Sequence, residues 1–320
     1  MAKKALCLVT GGAGFIGSHI VEALVKRGYP VRVLDNLSTG FLSHLEGMRG
    51  DIDFRKGDIR KDLDVRKAVR GVQYLFHVAA NRAVLRSVDD PLETDEVNVR
   101  GTLRLLLAAR DLGVKRFLFS SSSSVYGNTD KFPSEEDDPP QPASPYAASK
   151  IMGEYYCRIF SELYGLETVS LRYFNVFGPH QNPESRYSAV IPIFIDCLLK
   201  KKSPEVHWDG KQSRDFSYVD NVVEGNLLAM SRPGISGQVF NIACHEEYSV
   251  LDIFNALKRI MKIHDVKPVF ASKRAGDVRR TFADIRRAKR VLGFKVQTRF
   301  YPGLEKTVAW FLSQKKAPKS

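Results

Sequence analysis

An apolar run of strand length, Ala5–Thr10, stops directly on Gly11-Gly12-Ala13-Gly14-Phe15-Ile16-Gly17. A helical pattern through Ile20, Leu24 and Val25 follows and ends at Gly28. Glycines at this spacing meet three needs: a tight turn, backbone approach to a pyrophosphate, and close packing of helix on strand. Three glycines alone constrain little. With a strand before, a helix after and a second strand Val31–Leu34 ending in Asp35, they predict a dinucleotide-binding βαβ unit. Asp35 stands where a carboxylate would hydrogen-bond the adenosine ribose. It would repel a 2′-phosphate, which favours NAD over NADP.

The alternation continues. Ile52–Lys56 reads as a strand running into Gly57-Asp58-Ile59, where Asp58 and Ile59 would approach the adenine. Tyr74–His77 reads as another, followed by Val78-Ala79-Ala80, whose small side chains leave room for a cofactor across the strand end. His77 closes a buried strand and is expected to be held by packing and a backbone bond rather than to act in catalysis. A helix over Asp95–Leu112 puts Asn98 and Gly101 on its inner side, and Arg116–Ser120 is the next strand. The series predicts an α/β chain with a doubly wound parallel sheet.

Charge narrows the partners. Lys and Arg outnumber Asp and Glu by 49 to 36, a formal charge of +13. The cations are spread along the chain without interleaved aromatics, which argues for solvated surface and an anionic small molecule, not nucleic acid. No run reaches the roughly 18 apolar residues of a membrane span, so no membrane partner is expected. Met1-Ala2-Lys3-Lys4 leads into only a short apolar stretch, unlike a signal peptide. Cys7, Cys157, Cys197 and Cys244 lack metal-ligand spacing and sit in apolar surroundings. Buried reduced thiols of a cytoplasmic protein, with no metal, are expected.

A serine run, Ser120–Ser124, precedes Val125-Tyr126-Gly127, and Tyr146-Ala147-Ala148-Ser149-Lys150 follows. Residues four apart share a helix face. A phenol ordinarily keeps its proton to about pH 10, and an ammonium beside it favours the phenolate, so the pair can serve as a general base. Between them, Asn128–Pro142 reads as a surface loop. Ser144-Pro145 starts a helix that runs to about Tyr164 and stops at Gly165. Past a strand at Thr168–Arg172 the pattern loosens, and Val190–Lys200, Val219–Ser231 and Val250–Ile263 read as helices. The expected division is a cofactor domain over 1–172, with about 217–247 returning to it. A smaller C-terminal substrate domain covers 173–216 and 248–313, and 314–320 is a tail.

Seven stretches in order resemble extended short-chain dehydrogenase/reductases, and among them the nucleotide-sugar epimerases. They are the glycine segment 10–19, Asp35-Asn36-Leu37-Ser38-Thr39-Gly40, the serine run, Ser144–Lys150, Leu171-Arg172-Tyr173-Phe174-Asn175-Val176-Phe177-Gly178-Pro179, and Ser213-Arg214-Asp215-Phe216-Ser217-Tyr218-Val219-Asp220 with Arg274-Ala275-Gly276-Asp277. The resemblance implies a Rossmann-type sheet, bound NAD and a UDP-sugar substrate. It also implies a homodimer built from the Asp95–Leu112 and Tyr146–Tyr164 helices. Tyr146 would be the base, Ser122 would bond the same sugar hydroxyl, and Lys150 would hold the nicotinamide ribose and lower the Tyr146 pKa. Asn36 and Tyr173 would join the cofactor site, and Ser123 and Ser124 would add sugar contacts. Asn175, Arg214 and Arg274 would bind the diphosphate, Ala189 and Val190 the uracil or diphosphate, and Asp277 the nucleotide ribose.

The resemblance also separates reactions. Related 4,6-dehydratases and UDP-glucuronate decarboxylases carry an acid before Val-Tyr-Gly, where this chain has Ser122, Ser123 and Ser124. UDP-glucuronate 4-epimerases share the serine run but usually have threonine at the Asn175 position, and remain an alternative. Non-enzymatic NAD binders of this fold often lack the Tyr or Lys present here. The segment Arg186–Pro192 looks most like 4-epimerases of UDP-glucose and UDP-N-acetylglucosamine. Thr281 falls at the sugar-pocket gate, where a small residue admits the N-acetyl group. One departure stands out: Trp208, where relatives usually have glycine, so it would stack on or cover the pocket.

Overall fold

The computed structural model describes residues 4–82, 84–183, 189–273 and 278–316. Seven strands form one sheet: β1 Cys7–Thr10, β2 Val31–Asp35, β3 Ile52–Lys56, β4 Tyr74–His77, β5 Arg116–Ser122, β6 Glu167–Tyr173 and β7 Gln238–Ile242. All pairs are parallel, in the order β3-β2-β1-β4-β5-β6-β7. The winding reverses between β1 and β4, so the crevice at their C-terminal ends is where a ligand belongs in such a sheet. The doubly wound Rossmann-type sheet is as the sequence predicts.

Period-two alternation feeds two cores. Cys7 and Val9 of β1 pack with Val33, Phe76, Leu118 and Leu171 on one face. Leu8, Leu34, Leu75 and Phe117 pack on the other. A third cluster joins Phe177, Ile191, Phe194, Phe216, Phe254 and Phe300 in the later half. There the strands are two or three residues long. Ser213–Asp215 pairs with Glu247–Ser249 and Arg280–Thr281, and Glu205–His207 pairs with Val269–Ala271.

Three local readings change. β5 continues through Ser122, so the serine run begins inside the sheet. The single helix expected over Asp95–Leu112 is a short helix Pro91–Asp95, a π turn Glu96–Arg100 and a helix Gly101–Asp111. All four cysteines are free thiols, but Cys197 is only half-buried.

The helix Pro145–Tyr164 has clear local causes. Ser144 caps it, its side chain accepting the Ala147 N–H at 3.1 Å, Pro145 starts it, and Gly165 ends it at φ 69°. Met152, Tyr155, Ile159 and Leu163 form an exposed apolar stripe along it. No helix of the described residues is long and apolar enough to cross a membrane.

Candidate active site

The glycine turn borders a cavity of about 250 Å³ at the β1–β4 crevice. Gly11 has φ 70°, and a Cβ there would come within 2.8 Å of the Ala79 backbone. A Cβ on Gly17 would overlap the Gly11 carbonyl oxygen. Gly14 is the N-cap of the helix Phe15–Lys26, and no side chain caps it. Its first-turn N–H groups are thus left for an anion. Gly11, Gly14, Phe15, Ile16 and Gly17 all line the cavity, with Asp35, Asn36, Asp58, Ile59, Ala79 and Ala80. This donor set fits a dinucleotide: small residues under a pyrophosphate and carboxylates toward the ribose end.

The Asp35 carboxylate accepts the Ala13 and Leu37 N–H groups at 2.9 and 2.8 Å. Burial pushes its pKa up, and these two bonds oppose that. Asn36 donates to Asp58 at 3.1 Å. Bonds from Arg60 hold the Asp58 carboxyl well below the usual range, and Arg60 also reaches Glu93 at 3.0 Å. Asn98 stands one layer behind the cavity wall. Its amide accepts the Asn81 N–H at 2.7 Å and donates to the Asn81 carbonyl and Ser149 Oγ, both at 3.0 Å. It therefore orients Asn81, which lines the cavity.

Tyr146, Lys150 and Tyr173 line the same cavity. Lys150 is buried, donates to the Ser120 carbonyl at 2.8 Å and lies 5.7 Å from the Tyr146 ring centroid. Burial brings its pKa down to about 8, opposed by Glu154. For Tyr146 the expected lowering is not what the protein alone imposes. Burial raises its pKa, while a bond with the Ser122 side chain and the Arg82 guanidinium pull it back. The Tyr173 hydroxyl meets Ser120 Oγ at 3.0 Å and the Asn226 amide at 2.8 Å, and burial sets its pKa at about 12.

Ser122 ends β5 and caps a 3₁₀ turn, Ser123–Tyr126, accepting the Ser124 N–H at 3.2 Å. The Ser124 hydroxyl is buried with no hydrogen-bond partner among the described residues. Ser120 and Ser121, rather than Ser122, Ser123 or Ser124, line the cavity beside the glycine turn. Ser121 donates to Glu154, whose carboxylate is forked by Arg172 at 2.9 and 2.7 Å. Arg172 also donates to the Glu136 carbonyl and lies over the Tyr126 ring. His77 is held by two hydroxyls, Thr10 at 2.8 Å and Thr102 at 2.9 Å, not by a backbone bond. Burial keeps it neutral, with a pKa of about 3.

A second cavity, about 380 Å³, is lined by Asn175, Ala189, Val190 and Arg214, with His207, Gln212 and Phe216. Asn175 has φ 32° and donates to the Asp215 carbonyl at 3.1 Å and to Thr281 Oγ1 at 2.9 Å. Thr281 thus touches this site through Asn175. The Arg214 guanidinium donates to the Ser213 and Val278 carbonyls at 2.8 and 2.7 Å. Trp208 lines neither cavity. Its ring centroid lies 4.3 Å from Lys273 Nζ and 4.6 Å from Arg279 Cζ. Arg274, Asp277 and residues 186–188 lie outside the described residues, as does 317–320 of the expected tail.

Several lining residues escape sequence reasoning. Asn81 and Arg82, directly after Val78-Ala79-Ala80, and Arg86 one turn on border the first cavity, a basic step that could have flagged them. His180 also lines it, stacked on His44 at 4.2 Å and on His19 at 4.8 Å. Nothing in the local sequence joins these three rings.

The sequence model of the NAD dependent epimerase/dehydratase family matches residues 7–243. A UDP-glucose 4-epimerase of Mycolicibacterium smegmatis is 40% identical over 308 residues, covering 95% of this chain and 97% of that one. A solved UDP-N-acetylglucosamine 4-epimerase from Methanobrevibacter ruminantium, in complex with UDP-N-acetylmuramic acid, is 38% identical. It superimposes with a TM-score of 0.92 over 98% of this chain and 100% of that one. A UDP-glucose 4-epimerase from Thermotoga maritima with UDP-glucose gives 38% and 0.92, over 97% of this chain and 99% of that one.

Proposed function

The chain belongs to the NAD-dependent epimerase/dehydratase family, and from that premise we propose that it reversibly inverts C4 of a UDP-hexose through a transient 4-keto sugar. The carrying observation is the Tyr146–Lys150 pair on the dinucleotide cavity, with serines and no carboxylate at 122–124. Glu154, the carboxylate behind the run, is committed to Arg172 and cannot supply the acid that water elimination needs.

Tyr146 takes the O4 proton while Ser122 bonds the same hydroxyl. An alcohol gives up hydride only if its proton leaves too, so Tyr146 must reach the oxygen of the same carbon that would face a bound dinucleotide. Burial still raises the Tyr146 pKa on balance, and the Arg82 guanidinium with the Ser122 bond opposes it. The Lys150 ammonium, 5.7 Å from the ring centroid, adds positive charge on the side where the phenolate forms. Bound NAD supplies reversible hydride acceptance, held by Gly11–Gly17, Asp35 and Lys150. Asn175, Ala189, Val190 and Arg214 anchor the UDP, so the keto sugar can turn before Tyr146 returns the proton. Net redox is zero, and the cofactor needs no second substrate.

Thr281 is small, and N-acetylated UDP-hexoses are accepted on this reading. The exposed stripe Met152, Tyr155, Ile159 and Leu163, with Leu107 on the neighbouring helix, supports a homodimer across these helices. Four unpaired thiols support a cytoplasmic setting. Purified enzyme incubated separately with UDP-galactose, UDP-N-acetylgalactosamine and UDP-galacturonate, with products read by NMR, tests the reaction and its substrate. No C4 epimer from any of the three refutes it, and turnover of UDP-galacturonate alone moves the assignment to the glucuronate series.

A further inference from the structure

Trp208 sits at φ 63°, in the left-handed region that glycine tolerates and bulky side chains avoid. Such a conformation persists where its surroundings over-determine it. Here they do. The Trp208 N–H donates to the Ala271 carbonyl at 2.8 Å, and the indole carries Lys273 and Arg279 against its ring. Arg279 is held a second time by Asp209, the next residue, through two bonds of 2.8 and 3.0 Å.

The main chain at Arg279 leads into the second cavity. Its carbonyl accepts the Ser213 N–H at 3.1 Å and the Arg214 guanidinium at 3.2 Å, and the Val278 carbonyl accepts Arg214 at 2.7 Å. Arg214 lines that cavity with Asn175, Ala189 and Val190. The indole, the Arg279 side chain, the 278–279 carbonyls and the Arg214 guanidinium therefore form one connected series.

We propose that Trp208 is a positioning residue for substrate: by holding Arg279 it fixes the two carbonyls that set the Arg214 guanidinium for the diphosphate. The inference rests on reading that cavity as the UDP site. The Arg279–Asp209 pair cannot do this alone, because both side chains are nearly half exposed and a solvated pair holds geometry poorly. The aromatic face adds a second, orthogonal hold on the same guanidinium. A planar group pinned from its face and its edge has little freedom to swing, and its backbone follows.

The test uses the full-length NAD-loaded protein, with UDP as the probe in calorimetric titration and UDP-galactose in steady-state kinetics. Trp208→Gly suits the backbone at φ 63°, so its melting temperature should equal or exceed that of the unaltered chain. Its UDP affinity should nevertheless fall about tenfold, a loss of cation–π size. KM should rise in step, with kcat within about twofold. Trp208→Phe retains a ring face and should stay within about threefold of the unaltered chain. Arg279→Ala should match Trp208→Gly, and the double variant should be no weaker than either, because both act through one arm. Unchanged UDP affinity in Trp208→Gly overturns the proposal, as does a kcat loss without a KM change, or additive losses in the double variant. If the unaltered chain fails to bind UDP while retaining NAD, the reading of the cavity falls and takes the inference with it.

Discussion

Arg172→Met should be among the most destabilising single changes in the sheet, and the structure sets the amount. The Arg172 and Glu154 side chains are each only 5% exposed. Two charged bonds join them, a third runs from Arg172 to the Glu136 carbonyl, and Tyr126 closes the remaining face. Methionine fills similar volume but leaves the Glu154 carboxylate buried with Ser121 as its named donor. Breaking such a pair from one side costs about 3–5 kcal/mol, mostly the uncompensated charge. An unfolding entropy of about 2.1 cal/mol/K per residue gives a chain of this length roughly 0.7 kcal/mol/K, so the melting temperature should drop by about 4–7 °C. Thermal and urea unfolding followed by circular dichroism measure it. Two controls isolate the cause. Arg158→Met breaks the exposed Arg158–Glu162 pair, 66% and 59% accessible, and should cost less than about 1 kcal/mol. Arg172→Met combined with Glu154→Leu removes both charges and should recover most of the loss. If Arg172→Met costs no more than Arg158→Met, or the double variant is worse than either single, the uncompensated-charge reasoning is wrong.

Tyr146→Phe should cut kcat by about 10²–10⁴ while NAD, measured by its absorbance after denaturation, stays bound, since only the proton acceptor is lost. Thr281→Tyr should abolish UDP-N-acetylglucosamine turnover while sparing UDP-glucose; equal loss of both removes the gating argument. His77 gives a pH signature. Its folded pKa is near 3 against about 6.5 unfolded, so the unfolded chain takes up the proton first as pH falls. The stability from neutral His77 is complete above about pH 6.5 and is lost below it, by up to about 1.4 kcal/mol per pH unit. The drop in urea midpoint between pH 7 and 5 should shrink in His77→Leu, and an unchanged drop contradicts this.

What could be read in the chain beforehand was whatever a few neighbouring residues settle among themselves. Gly11, Gly14 and Gly17 declare a turn because their steric need is local. Tyr146 and Lys150 declare a shared face because a helix fixes their spacing. Helical spacing alone puts Asn98 on the inner side of its segment, where it is buried. The π turn that sets it behind Asn81 depends on packing against other elements, which no periodicity carries. The same holds for Arg82 beside Tyr146, for Glu154 under Arg172 and for the His19–His180–His44 stack: each joins segments whose register is decided only in the folded chain. The short strands of the later half hold two or three residues, too few for alternation to register. Trp208 shows the reverse case, since a departure visible in sequence acquired its meaning only from φ and the two cations on its ring.

The position of β7 has a consequence for how the protein can be made. β6 gains its outer neighbour only after the chain has passed through Val190–Leu199 and Val219–Ser231 and come back with Gln238–Ile242. A growing chain that has emerged only through Tyr173 therefore carries β6 as an open edge, an invitation to pair with another copy. Cutting there to obtain a freestanding cofactor module would make that edge permanent. Grafting designs should instead carry the chain through Ile242, so that the last strand closes the sheet before the fusion partner begins.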